Sequence, residues 1–266
     1  MAITKVNGID LHYATTGNGT PLVLIHGHPF DHTMWYPQVV AFSESYQVIT
    51  PDLRGYGEST LPDRSNTKFE DYATDILQLL DALGINSFHL GGLSMGGQII
   101  MEIYRQAPAR IKSMIFADTF ASLDTPEVKK GRYDTGRRLE KEGMDGYADE
   151  AIHKMITPEH VATMPEVSGH ILKMMKATSP VAAATALRAR AERIDYLTEV
   201  LPQINIPTLE IVGRDDQFTP VAMAEEMTKN LKNYKLVIIE DAGHMPNLEH
   251  PDEFNKVVLD FLGGIV

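Results

Sequence analysis

Three short segments of this chain put residues capable of chemistry at turns. The first is Gly91-Gly92-Leu93-Ser94-Met95-Gly96-Gly97, between a strand-like run ending in Ser87-Phe88-His89-Leu90 and a helix-like run, Gln98-Ile99-Ile100-Met101-Glu102-Ile103-Tyr104, that should stop near Pro108. Gly92-x-Ser94-x-Gly96 in a strand–turn–helix context is the arrangement of a nucleophile elbow. A serine on so sharp a turn has a strained backbone and close neighbours. Glycine two residues before and two after removes Cβ atoms that would collide there. The helix beginning at the serine offers free N–H groups to developing negative charge. The second and third segments are Gly213-Arg214-Asp215-Asp216-Gln217-Phe218-Thr219-Pro220 and Glu240-Asp241-Ala242-Gly243-His244-Met245-Pro246, each just past an apolar run. The chain thus offers Ser94, an aspartate and His244 in that order, each beyond a predicted strand end, where open α/β sheets carry their active residues.

The elements that must position these turns alternate. Ile3–Val6 and Ile9–Tyr13 flank Asn7-Gly8, a strong hairpin signal. Pro21–Ile25, Tyr46–Thr50, Ile111–Ala117, Thr208–Val212 and Lys235–Ile239 read as buried strands. Thr67-x-x-Glu70 predicts a capping box before Tyr72, Ile76, Leu79, Leu80 and Leu83, with Gly84 as the stop. Pro251 to Val266 reads as a closing amphipathic helix. Repeated β–α alternation predicts an α/β protein with a mostly parallel sheet and helices on both faces. The rhythm breaks near residue 120 and resumes near 204. Between them the pattern is all helical, with turns expected at Gly131, Gly143, Pro158, Pro165, Ser168-Gly169 and Ser179-Pro180. Residues 1–119 and 204–266 then form the core, and 120–203 a helical cap over one end of the sheet.

At 266 residues the chain can bury a large core without staples. Its net charge of −12 disfavours phosphate backbones and anionic membrane surfaces. The segment 120–200 nevertheless holds 12 basic and 13 acidic residues, so nearly all the excess acid lies elsewhere. The absence of cysteine excludes disulfides and thiol nucleophiles, and suits a reducing cytoplasm. The N-terminus shows no apolar signal core, and no run approaches the roughly 20 apolar residues that span a bilayer. Neither phosphate-binding glycine fingerprint nor a paired-histidine metal motif occurs, so no metal or cofactor is expected. A nucleic-acid partner is not expected either, and nothing indicates an oligomer.

Five segments together resemble the α/β-hydrolase superfamily across essentially the whole chain: His26-Gly27-His28-Pro29, Asp52-Leu53-Arg54-Gly55-Tyr56-Gly57-Glu58-Ser59, Gly92 to Gly97, Gly213-Arg214-Asp215-Asp216…Pro220, and Gly243-His244-Met245-Pro246…Glu249-His250-Pro251. Within it the chain is similar to the small capped esterases, enol-lactonases, carbon–carbon hydrolases and cofactor-free haloperoxidases. The resemblance implies an α/β-hydrolase fold with an eight-stranded type of sheet. It assigns Ser94 as nucleophile, His244 as general base and then acid, and Asp216, four residues before Pro220, as the group that orients His244. On this reading Asp215 caps the following helix. Asp118, after the 111–117 strand, is a third candidate acid, expected instead to bind backbone at the cap hinge. The oxyanion hole falls to the backbone N–H groups of His28 and Met95. Phe30, His32, Met144, Met175 and Met245 are expected to border the substrate, and the His28 side chain to make the pocket more polar. Trp35 is expected in helix core, His26 in loop structure, and His12 and His250 at the surface.

Serine at the elbow argues against haloalkane dehalogenase and epoxide hydrolase chemistry, which in this superfamily use aspartate there. The expected activity is hydrolysis of a small or medium carboxylic ester through an acyl-enzyme. Enol-lactone hydrolysis and carbon–carbon cleavage share the same triad, with perhydrolysis or halogenation as a side activity. Lactone substrates there carry carboxylates, for which Arg132, Arg137 or Arg138 are candidates. A ligand receptor that keeps the hydrolase fold is the reading from another class.

Overall fold

The computed structural model describes residues 1–62 and 67–265. Eight strands form one sheet: β1 (Ala2–Val6), β2 (Ile9–Thr16), β3 (Thr20–Ile25), β4 (Tyr46–Pro51), β5 (Phe88–Leu93), β6 (Ile111–Ala117), β7 (Thr208–Gly213) and β8 (Tyr234–Ile239). Their spatial order is β1-β2-β4-β3-β5-β6-β7-β8. β2 runs antiparallel to both neighbours and every other pairing is parallel. Asn7 and Gly8 both take positive φ, 42° and 80°, and close the β1–β2 hairpin as their residue types predict.

The inner parallel strands are buried on both faces because apolar helices cover each side, whereas β8, expected to be buried, is an edge strand with Tyr234 and Lys235 exposed and Leu236 to Ile238 half-buried. Alternate residues of one strand serve opposite layers. Val23, Ile25, Leu90, Met114 and Phe116 pack with Tyr72 and Ile76 of a helix over Phe69–Ala82 and with Ile99 and Ile103 of one over Met95–Gln106. Leu22, Leu24, Ile115, Leu209 and Ile211 pack with Phe42 and Phe254 on the other side. Each such side chain, fully buried, contributes about 1.5–3 kcal/mol.

In chain order the helices of the first half are α1 (Tyr36–Phe42), α2 (Phe69–Ala82) and α3 (Met95–Gln106). α2 starts one residue later than the Thr67-x-x-Glu70 pattern predicts: the Lys68 N–H donates to Asp71 Oδ2 at 2.8 Å, and the Thr67 hydroxyl has no partner among the described residues. Asp71 takes the role assigned to Glu70, since the carboxylate three residues past the cap position is the one that reaches back.

Between β6 and β7 lie α4 (Pro126–Glu142), α5 (Asp145–Met155), α6 (Pro158–Thr163), α7 (Pro165–Ala177), α8 (Pro180–Ala191) and α9 (Tyr196–Glu199). Thr125, Thr157 and Ser179 accept from backbone N–H groups at the starts of α4, α6 and α8, each followed by a proline whose missing N–H costs nothing there. Gly131 and Ser168-Gly169 are not turns; they lie inside α4 and α7. An interior glycine costs a helix only about 1 kcal/mol, which the flanking helix formers offset. α8 is alanine-rich and buried almost all round. The chain closes with α10 (Val221–Thr228), α11 (Pro246–Glu249) and α12 (Pro251–Gly263); the expected helical end at Val266 lies outside the described residues. Among the described residues, no helix is long and apolar enough to cross a membrane.

Candidate active site

Ser94 sits between β5 and α3 at φ 56°, ψ −118°, a conformation that side chains other than glycine rarely adopt. Its N–H donates to Ala117 O at 2.9 Å, and the Thr119 hydroxyl donates to its carbonyl at 2.7 Å. A Cβ on Gly92 would strike the Gly96 carbonyl, and one on Gly96 would strike that of Ile25. The two glycines therefore let three chain segments pass within contact distance while the strained residue is held from both sides.

His244 follows β8, and its Nδ1 lies 2.7 Å from Asp216 Oδ2. Asp216, past β7, also accepts from the N–H groups of Phe218 (2.7 Å) and Thr219 (3.1 Å) and from the Thr219 hydroxyl. Burial alone would raise its pKa, but the His244 charge and these hydrogen bonds hold it below the usual carboxylate range. Asp118, after β6 at φ 45°, points one oxygen at the Gly213 N–H (2.8 Å) and leaves the other without a partner among the described residues. Burial, and then the Asp216 charge beside it, push the Asp118 carboxyl well up, so it is held as the neutral acid. Asp118, Asp216 and His244 bring donor atoms within 4.8 Å of one another. With His244 Nδ1 taken by Asp216, Nε2 is the ring nitrogen left for other work.

Ser94 and His244 line one cavity of about 600 Å³. Its walls come from both the sheet's loops and the inserted helices: His28, Phe120, Tyr147, Leu187 and Phe218 among them. The Phe218 ring stands edge-on to His244 at 5.1 Å between centroids.

A serine on a strained elbow and a histidine–aspartate pair, presented at strand ends of an eight-stranded parallel-type sheet, define a known architecture. Residues 20–251 match the family described as alpha/beta hydrolase fold. The chain belongs to that family. A thermophilic esterase from Thermogutta terrifontis is 33% identical to this α/β-hydrolase, superposes with a TM-score of 0.96, and is matched over 100% of this chain and 99% of its own. The enol-lactonase from Burkholderia xenovorans LB400 is 31% identical, with a TM-score of 0.91 and coverage of 98% and 100%. By sequence, 3-oxoadipate enol-lactonase 1 of Acinetobacter baylyi is 29% identical over 267 residues, 100% of this chain and 97% of the relative.

Several expected pocket residues of this α/β-hydrolase lie away from the cavity wall. Phe30, Met245 and, on α7, Met175 are fully buried in one apolar cluster that also holds Trp35, Met155 and Phe254, and Met144 packs with Leu139 and Leu187. His32 turns instead to Asp52, giving its Nδ1 and backbone N–H to Oδ1 at 2.8 Å each. Arg137 and Arg138 pair with Asp134, Glu142 and Glu150 on the exposed face, whereas Arg132 does line the cavity. Asp215 is exposed and α10 starts without a side-chain cap. His12 is not a surface residue: it is buried, with Nδ1 2.8 Å from Asp52 Oδ2. His250 is half-buried against the Asp241 carbonyl. Trp35 lies in the core, and His26 bridges the Gly27 carbonyl and the Leu53 N–H.

The His28 side chain is buried and lines the cavity; Nδ1 lies 2.7 Å from the Tyr56 hydroxyl and Nε2 has no partner among the described residues. Burial, then the charges of Arg190 and Arg132, hold its pKa down at about 3, so it is neutral at physiological pH.

Reading the sequence missed Thr219, Glu249 and Arg190. The Glu249 carboxylate accepts from the Gly243 N–H (2.7 Å), the Thr157 N–H (2.8 Å) and lies 2.8 Å from His160 Nδ1. It ties the loop bearing His244 to α6. Two further clusters have metal-like spacing, His12–His32–Asp52 and His160–Asp241–His250. In the first, both histidine Nδ1 atoms are spent on Asp52; in the second, His160 Nδ1 goes to Glu249 and His250 Nε2 to the Asp241 carbonyl.

Proposed function

We propose that this α/β-hydrolase cleaves a small or medium carboxylic ester through a Ser94–His244–Asp216 triad and an acyl-enzyme, with residues 120–203 acting as the cap that shapes the substrate pocket. The observation that carries the reading is the orientation of His244. Its Nδ1 is committed to an ionised Asp216, and Ser94 and His244 share one cavity wall. Nε2 takes the Ser94 proton as the oxygen adds to the ester carbonyl. The backbone N–H groups of His28 and Met95 receive the resulting oxyanion, the latter at the start of α3. His244 returns the proton to the alkoxide, the alcohol leaves, and water repeats the sequence to free the acid. Asp216 fixes the imidazole tautomer and stabilises its cation without itself being protonated.

Enol-lactone hydrolysis is the second reading, supported by the enol-lactonase names of relatives aligned over nearly the whole chain. The steps are the same, except that the leaving enolate stays tethered. Carbon–carbon cleavage would use the same three groups.

Steady-state hydrolysis of p-nitrophenyl esters of graded acyl length, with Ser94→Ala alongside, tests the proposal. Fast turnover with a length optimum, reduced at least about 10³-fold in Ser94→Ala at unchanged thermal stability, is the expected result. Ester turnover that survives Ser94→Ala would remove the nucleophile assignment. A folded wild-type protein that binds ligands tightly without turning over esters or lactones would favour the receptor reading.

A further inference from the structure

One cation on the cavity wall makes no ion pair among the described residues. Arg190, on α8, is buried, and its Nε donates to the neutral Oε1 of Gln98 at 2.6 Å. Its guanidinium carbon lies 5.3 Å from the centroid of the Phe120 ring. Its two terminal nitrogens make no hydrogen bond to the described residues, and they are not among the sealed, partnerless atoms of the interior. Arg190 lines the cavity that holds Ser94 and His244.

Two more guanidiniums lie close by, and they share the single carboxylate of Asp124. Arg132 reaches it through both Nε and Nη2, and Arg193 through Nη1 at 3.2 Å. Among the described residues, three cations therefore face one anion. The surplus registers on its surroundings: burial, then Arg132 and Arg193, drive Arg190 well below its ordinary pKa, and the same field contributes to holding His28 neutral. A buried charge is costly unless paired, so this arrangement favours an incoming anion.

We infer that Arg190 is the anchor for a carboxylate carried by the substrate, so that the enzyme prefers anionic esters or lactones, of the type of a half-ester of a short dicarboxylic acid. The inference rests on the reading of Ser94 as nucleophile only for where the ester end lies. Arg132 is already engaged twice by Asp124, which leaves Arg190 as the guanidinium with donors to offer. A guanidinium fork matches a planar carboxylate. Gln98, which holds Arg190, sits one helical turn (about 5.4 Å) beyond Ser94 along α3, its N–H donating to the Ser94 carbonyl at 3.3 Å. Phe120, Leu187 and Met155 give the space between an apolar lining suited to methylene groups.

The test uses Ser94→Ala protein and calorimetric binding of monomethyl esters of the C4 to C8 dicarboxylic acids, each against its neutral dimethyl ester. The expected result is a preference of at least tenfold for one or more of the monoanions. Arg190→Met in the same background should reduce that ratio to near one while raising the melting temperature, because an unpaired buried charge is gone. Equal affinity for monoanion and diester across the series would overturn the inference, and this measurement needs no Arg190 variant to fold. So would an Arg190→Met protein that melts lower and keeps the ratio, which is the signature of a residue that only packs on Phe120 and Gln98. Wild-type turnover of the same esters is read separately. Monoanion-selective binding without turnover sustains the anchor and refutes the hydrolytic reading, whereas turnover without selectivity does the reverse.

Discussion

Glu210 is the least expected residue of β7. Its neighbours Leu209 and Ile211 enter the core beneath α12, and Glu210 points to the opposite layer, fully buried, with neither carboxylate oxygen partnered among the described residues. Burial pushes its pKa well above the ordinary value, so the folded protein holds it as the neutral acid. Two separable costs follow. An unpartnered buried polar group costs about 1–3 kcal/mol. In addition, each pH unit over which the folded carboxyl stays protonated while the unfolded one is ionised costs about 1.4 kcal/mol. The sign is fixed by the direction of the shift: with the folded pKa raised, the stabilising contribution is complete below the unfolded pKa of about 4.3 and is lost as pH rises toward the folded pKa. Glu210→Met removes both costs and Glu210→Gln only the second. Thermal unfolding between pH 4.5 and 8 should show both variants gaining on wild type as pH rises, by roughly 3–6 °C per unit until the wild-type carboxyl ionises. The Met variant should keep a further advantage over the Gln variant of about 2–12 °C at every pH. A Met variant that melts below wild type, or a Glu210→Gln protein whose gap to wild type ignores pH, would show that Glu210 is partnered and that the reasoning is wrong.

Asp216→Asn should lower kcat by about 10⁴-fold with little change in KM, since the amide favours the wrong imidazole tautomer; stopped-flow or discontinuous ester assays will show it. Because Asp216 is held below the usual carboxylate range, wild type should also lose stability as pH falls below about 4, and the Asn variant should lack that part of the loss. Glu249→Gln should cost about 1–3 kcal/mol in denaturant unfolding, because its amide NH₂ must face a donor where the carboxylate accepts from the Gly243 or Thr157 N–H.

The parts of this molecule that local chemistry dictates were legible in its sequence. The Asn7-Gly8 hairpin, the buried strands and the glycines around Ser94 each follow from what the backbone requires at that point. The α2 start lies one residue further on because Thr67 to Glu70 and Lys68 to Asp71 share the same spacing, and it is Asp71 that reaches back to the Lys68 N–H. Gly131 and Ser168-Gly169 misled because a weak helix former reads as a turn when tertiary support is unseen. The pocket residues were the least legible. Methionine and phenylalanine mark apolar surroundings, and Phe30, Met175 and Met245 find them in a buried cluster as readily as beside a substrate. Arg190 carries no local signal, since its meaning lies in a charge balance with Arg132, Arg193 and Asp124, set far apart along the chain.

The Glu249 clamp bears on how such an enzyme can be rebuilt. One carboxylate holds the residue before His244 with one oxygen and the first turn of α6 with the other. A helical segment transplanted from a different hydrolase must therefore offer a backbone N–H at the place of Thr157, or the graft will slacken the histidine loop even where no foreign atom comes near the substrate. Chimeras cut after position 163 would inherit that tether intact, and chimeras cut at 120 would have to recreate it.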